Sequence, residues 1–164
     1  HKEYRRQRQM CIRDRPRTHT CPPVLMRNAM NVENNLMPTE AQIKYIMEGE
    51  KDKPIHMVNL LKFRDKAEYK DGRETDMTGR QAYAIYSAEV KGHIEKVGGE
   101  VLFEGEVNGL MVGKVEDLWD MIAIVRYPKM KAMMKMTSDP SYEESAIHRI
   151  AGLEGQLNIE TKAF

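Results

Sequence analysis

The chain order predicts an α+β sandwich of the ferredoxin-like kind, βαββαβ, with one four-stranded antiparallel sheet and its helices on one face. Three observations carry this. Two segments, 55–61 and 119–127, are rich in apolar residues of both parities. Two amphipathic helical stretches separate β-like runs, and Gly, Pro and Asn-Gly breaks fall between them.

The first regular element is a short helix. Thr39 is placed to cap it, Pro38 keeps it from starting earlier, Ile43, Ile46 and Met47 share a face, and Gly49 ends it. Pro54–Phe63 is the first strand, followed by a charged loop, 64–76, with an Asp71-Gly72 turn. Thr78 and Gln81 form a capping box. The helix they open carries Tyr83, Tyr86, Val90, Ile94 and Val97 on one face, and Gly98-Gly99 supplies its left-handed stop. Residues 100–113 read as β-like with a break at Asn108-Gly109, either a hairpin turn or a bend in one long strand. Trp119–Tyr127 is the next strand, and Pro128 suits the first position of a helix through Met130, Met133, Met134 and Thr137. Ser138-Asp139-Pro140 ends that helix and caps another, carrying Tyr142, Ala146, Ile147 and Ile150 and stopping at Gly152. Residues 156–162 alternate as a half-exposed strand.

The two-sided strands have a further consequence. Ile55, Met57 and Leu61 oppose Val58 and Leu60; Trp119, Met121, Ala123 and Val125 oppose Ile122 and Ile124. Strands apolar on both faces are covered on both faces, and two helices cover one. A second copy of the sheet, related by a two-fold axis, is the economical cover. The expected assembly is a homodimer whose sheets face each other.

Composition excludes several classes. The 164 residues carry 26 Lys+Arg and 25 Asp+Glu, so no global charge draws the protein to nucleic acid or anionic lipid. No apolar run approaches the roughly 20 residues of a membrane span, and a cytoplasmic location is expected. The balance hides an asymmetry: residues 1–30 hold eight Lys+Arg against two Asp+Glu, and both cysteines. That stretch has no apolar period. A basic arm and a targeting peptide are two readings of it. The third, which is preferred, is that Met10-Cys-Ile-Arg-Asp-Arg15 translates ATG TGT ATA AGA GAC AGR, apart from its last base a string like a transposon-end sequencing adapter. Translation would then begin at Met26, Met30 or Met37. The expected organisation is an adapter-derived or disordered segment over 1–29, a helical extension over 30–50 and the ferredoxin-like domain over 51–164.

Candidate functional residues are polar groups on apolar elements. Asn59 sits mid-strand, where asparagine needs a ligand or a backbone partner. Trp119-Asp120 opens a buried strand; Asp120 is either an acid/base or a turn-capping acid beside Glu116 and Asp117. Arg149 either clamps a substrate carboxylate or pairs with a core acid such as Asp120. Tyr83, Tyr86, Tyr127 and Tyr142 offer hydroxyls or plain packing. Met130, Met133, Met134 and Met136 are core filler or a soft pocket wall. His56, His93 and His148 lack metal-ligand spacing, so no metal is expected; one exposed imidazole suffices for haem, which keeps haem handling as a minor alternative. No Gly-x-Gly-x-x-Gly or Walker loop cradles a nucleotide, no thiol lies beyond residue 30, and no Gly-x-Ser-x-Gly elbow occurs.

Together Met57-Val-Asn-Leu-Leu-Lys-Phe63, the Tyr83/Tyr86 helix, Gly98-Gly99, Trp119-Asp120 leading to Ile124-Val-Arg-Tyr-Pro128, Met136-Thr-Ser-Asp-Pro-Ser-Tyr142, Arg149 and Ala151-Gly-Leu153 resemble the bacterial domain-of-unknown-function 1330 family. That family lies within the dimeric α/β-barrel superfamily, and the resemblance spans about residues 37–163. It implies the same fold and a face-to-face dimer, and no established activity. Superfamily relatives include cofactor-free monooxygenases, haem-handling proteins and small-molecule isomerases or dehalogenases, and fold does not choose among them. Met-rich Lys129–Met136 departs from the family, where Ser and an aromatic are expected.

The expected function is to bind or convert a small organic molecule without a cofactor. Asp120 or His148 would act as acid/base, Asn59, Trp119, Tyr127 and Tyr83 would line the pocket, and Arg149 would hold an anion. The alternative is a non-catalytic dimer module whose polar residues only fix strand ends.

Overall fold

Alternation along the first strand decides where the core forms. The computed structural model describes residues 31–50 and 52–163. The readings of residues 1–30, adapter origin and start codon included, lie outside the described residues. In β1, Ile55–Phe63, the side chains of Ile55, Met57 and Leu61 are buried, while His56, Val58 and Leu60 point to the opposite face. β1 is flanked by α1 (Glu40–Glu48) before it and by α2 (Gly79–Lys96), β2 (Glu100–Glu106), β3 (Met121–Tyr127), α3 (Met130–Thr137), α4 (Pro140–Gly152) and β4 (Leu153–Thr161) after it. The strand order is β2-β3-β1-β4 with every neighbouring pair antiparallel, the ferredoxin-like topology. All eight elements lie within Glu33–Phe164, which forms one compact unit.

The helices assemble on the face of Ile55, Met57 and Leu61. α2 is opened by the expected capping box, Thr78 Oγ1 accepting from Gln81 N at 3.2 Å and Gln81 Oε1 from Thr78 N at 2.8 Å. It buries Ala82, Tyr83, Tyr86, Val90 and Ile94, and the left-handed Gly98, φ 76°, follows its end. Tyr83, Tyr86, Val90 and Ile94 join Val125 and Tyr127 of β3, Met130 and Met136 of α3 and Leu153 of β4 in one core, while Ala82 packs in a smaller cluster with Ala67, Tyr69 and Ala151. Ile55, Leu61 and Leu153 are at most 1% exposed, worth about 1.5–3 kcal/mol each.

Several boundaries differ from the sequence expectation. β2 stops at Glu106, and residues 107–120 form neither a hairpin partner nor a longer strand. Val107 N donates to Asp120 O at 3.0 Å, closing the β2–β3 pair there; beyond it Gly109 and left-handed Gly113, φ 100°, flank an exposed Leu110-Met111-Val112. β3 begins at Met121, so Trp119 and Asp120 precede the strand. Pro128 lies outside α3, whose cap is Lys129. α4 is capped by Asp139 with Pro140 in its first turn, as expected, but runs directly into β4. Its buried residues are Ser145, Ala151 and Gly152, and Tyr142 packs against the core; Ala146 and Ile150 are half-buried, and Ile147, expected on the inner face, is 40% exposed. Small residues are favoured there because α4 packs closely against α2.

The other sheet face carries Val58, Leu60, Ile122 and Ile124 in facing pairs, Val58 opposite Ile124 and Leu60 opposite Ile122, extended by Leu157 and Ile159 on β4 and Phe103 on β2. None of these belongs to the core under the helices, and Phe103 and Ile159 are 53% and 44% exposed.

Candidate functional site

Polar side chains gather within the layer between helices and sheet. Tyr83 and Tyr86 reach it from α2 because they share the buried stripe of that helix; Tyr142 and Arg149 reach it from α4, and Tyr127 from β3. The Tyr86 and Tyr142 hydroxyls are 3.2 Å apart, and the Tyr127 hydroxyl points to Met136 Sδ at 3.9 Å. The rings are linked: Tyr83 lies 5.3 Å from both Phe63 and Tyr86, and Tyr142 meets Tyr86 and His93 edge-on. Burial holds all three of Tyr83, Tyr86 and Tyr127 in the neutral form, raising their ionisation well above the ordinary tyrosine value. The Arg149 charge is close enough to oppose that shift at Tyr83 and Tyr86.

Arg149 is half-buried, and its Nη2 donates to the Leu36 carbonyl at 3.1 Å. Among the described residues no carboxylate pairs with it; Asp120, one expected partner, is engaged elsewhere. Asp120 Oδ2 accepts from Phe63 N at 2.7 Å and its Oδ1 lies 3.6 Å from Lys62 Nζ, so the carboxylate ties the start of β3 to the end of β1. Asn59 faces the helical layer, and its Nδ2 donates to the carbonyls of Met57 and Ala123, both at 3.3 Å.

The structure therefore brings Asn59, Tyr83, Tyr127 and Arg149 to one side of the sheet and separates the other candidates from them. Trp119 Nε1 donates to Asn34 Oδ1 at 2.8 Å. His148 Nδ1 lies 2.7 Å from the Tyr69 hydroxyl, with the rings edge-to-face, against the 64–77 loop. No hydrogen bond, ion pair or ring contact joins Asp120 to His148, or either to Tyr83, Tyr86, Tyr127 or Tyr142, among the described residues. Tyr86 and Tyr142 complete the cluster, and their helical spacing was the signal for them. Leu36 gave no sequence signal, because it acts through its backbone carbonyl.

Two surface hollows lie apart from this cluster. One, of about 470 Å³, runs between α2 and the β2 edge past Lys91, Ile94, Val101 and Phe103. The other, of about 550 Å³, is formed by the loop around Tyr69 and Arg73. Among the described residues no three His, Cys, Asp or Glu side chains converge to hold a metal ion, and no helix is long and apolar enough to cross a membrane.

The family model for the domain of unknown function DUF1330 matches residues 72–161, from the loop before α2 to the end of β4. The chain belongs to the DUF1330 family. The RPA0582 protein of Rhodopseudomonas palustris, of unknown function, is 31% identical with a TM-score of 0.72, over 80% of this chain and 98% of that one. A methylated RPA0582 protein gives 34% identity and the same TM-score, over 80% and 96%. A dimeric ferredoxin-like protein of unknown function from Bacteroides fragilis is 11% identical with a TM-score of 0.40, over 67% and 96%, too distant to carry an argument. No curated protein matches. The DUF1330 match takes in Tyr83, Tyr86, Tyr127, Tyr142 and Arg149, while Asn59 and Leu36 precede it.

Proposed function

We propose that this DUF1330 protein is a cytoplasmic homodimer that binds a small organic molecule in each subunit, between helices and sheet, without a nucleotide cofactor. Arg149 carries the reading. A half-buried guanidinium with five donors, one of them on a backbone carbonyl and none on a carboxylate of the described chain, lies close enough to Tyr83 and Tyr86 for its charge to act on them. Buried charges are ordinarily paired, and a charged group with donors to spare at the edge of an apolar layer is what orients a ligand in a small-molecule site. Tyr83, Tyr127 and Asn59 would form the wall. With Asp120 and His148 held at separate places, the geometry favours binding over acid/base catalysis.

The dimer is supported by the open sheet face. Val58, Leu60, Ile122, Ile124 and Phe103 are neighbours on that face, apolar and left outside the core under the helices, the kind of surface that a protein contact covers. A second copy offers the same flat pleated surface.

A non-catalytic dimer module is the second reading. Asn59 favours it, since both bonds of its amide go to backbone carbonyls of β1 and β3.

Native mass spectrometry of gently purified full-length protein tests both. A dimer carrying a constant extra mass, lost in Arg149→Met, is expected. A dimer without adduct, whose Arg149→Met and Asn59→Ala variants change stability alone, would favour the module. A monomer would refute the sheet-to-sheet assembly.

A further inference from the structure

The segment leading into α1 lies along the exposed edge of the site and is held by few contacts. Asn35 pairs with Gln156 at the β4 edge, N to O at 3.0 and 3.1 Å. Asn34 accepts from Trp119, and Tyr45 donates to Glu160 Oε2 at 3.0 Å. Leu36 and Ile46 rest on the core that contains Tyr83, Tyr86 and Tyr127. Yet α1 itself buries no residue, and Ile43, Tyr45 and Met47 are each about half exposed or more. Elements with so little burial open at low free-energy cost, well below global unfolding.

Besides the apolar contacts of Leu36 and Ile46, a hydrogen bond joins this segment to the site, from Arg149 to the Leu36 carbonyl. A neutral carbonyl occupies one donor of a guanidinium; a carboxylate engages two in parallel, with charge assistance. We propose that Asn34–Glu48 is a displaceable cover over the tyrosine cluster, and that the ligand displacing it is a small apolar monocarboxylate whose oxygens take Arg149 from the Leu36 carbonyl. This rests on the small-molecule reading above. The single charge follows from Arg149, and the apolar remainder from the Tyr83 and Tyr86 rings that feel its charge and from the core on which Leu36 and Ile46 rest. In the closed state Leu36 and Ile46 fill the place the ligand would take.

Trp119 is the one tryptophan of the chain and its indole is bonded to the cover, so its emission reports opening. Full-length protein is titrated with benzoate and hexanoate and with the matched neutral probes benzamide and hexanamide. Affinity is read by calorimetry, opening by Trp119 emission and by hydrogen exchange over residues 34–48. The carboxylates are expected to bind, to shift the emission and to speed exchange across 34–48, with the amides inert. Arg149→Met is expected to weaken carboxylate binding roughly 10- to 100-fold, and Arg149→Lys about tenfold. Asn34→Ala removes a bond that exists only when the cover is closed, so it is expected to tighten carboxylate binding a few-fold by raising the open population; a merely structural role would not do so. Equal binding of carboxylates and amides would overturn the anion class and leave the small-molecule reading standing. Carboxylate binding without faster exchange over 34–48, or unchanged or weakened by Asn34→Ala, would overturn the cover. Binding by amides alone would overturn this inference only, and binding by no probe would remove both.

Discussion

Gly79 and Gly152 face each other where α2 begins and α4 ends. A Cβ on Gly79 would lie 2.3 Å from the Gly152 carbonyl oxygen, and one on Gly152 would lie 2.4 Å from the Gly79 carbonyl oxygen. Both obstacles are backbone, and Gly79 is further pinned by Arg64, whose carbonyl oxygen accepts from Gly79 N at 3.1 Å. Gly79→Ala or Gly152→Ala is therefore expected to destabilise by about 1–3 kcal/mol, the range for overpacking a filled site. Urea unfolding reads it as a lower midpoint at unchanged slope, and an unchanged midpoint would show that the helices separate freely.

The buried tyrosines set an alkaline limit. Tyr83, Tyr86 and Tyr127 ionise near pH 10 when unfolded and well above that when folded. Their contribution is complete below pH 10. Above it the unfolded chain releases protons that the folded chain retains, so stability falls as pH rises, by up to about 1.4 kcal/mol per pH unit for each group. Absorbance of tyrosinate and circular dichroism are expected to show these three ionising together with unfolding. Smooth titration of every tyrosine in a folded protein would contradict their burial.

The open sheet face gives a direct test of the dimer. Ile124 lies opposite Val58 and beside Phe103 on that face, away from the helical core. Ile124→Asp is expected to produce a folded monomer, because a carboxylate buried against a second copy has no partner. Light scattering would report the mass and circular dichroism the fold. A dimer that persists at micromolar concentration would place the contact elsewhere.

Asp120 is expected to matter for stability. Asp120→Asn weakens the acceptor for Phe63 N and removes the charge facing Lys62. A loss of about 1–2 kcal/mol follows, with ligand affinity unchanged once the protein is folded. A large fall in ligand binding at constant stability would restore Asp120 to the site.

Local sequence was enough for the starts of α1, α2 and α4, the left-handed stop at Gly98 and the two-sided character of β1 and β3. Capping boxes, glycine conformation and side-chain alternation all act over a few residues, so they are written in consecutive letters. The chain order was enough for the ferredoxin-like topology, since connection lengths and antiparallel pairing leave few alternatives. Tertiary structure decided the rest. Whether residues 107–113 continued as strand depended on where Val107 met Asp120 across the sheet. Which face of α4 turned inward depended on the close approach of Gly152 to Gly79, which set Ser145, Ala151 and Gly152 inward and left Ile147 outside. Tyr83 and Arg149 came close enough for the charge of one to act on the other, and Asp120 and His148 took partners elsewhere, because side-chain position in space is fixed by packing between elements far apart in sequence. The Leu36 carbonyl shows this most simply: every residue has one, and only the fold set this one against Arg149.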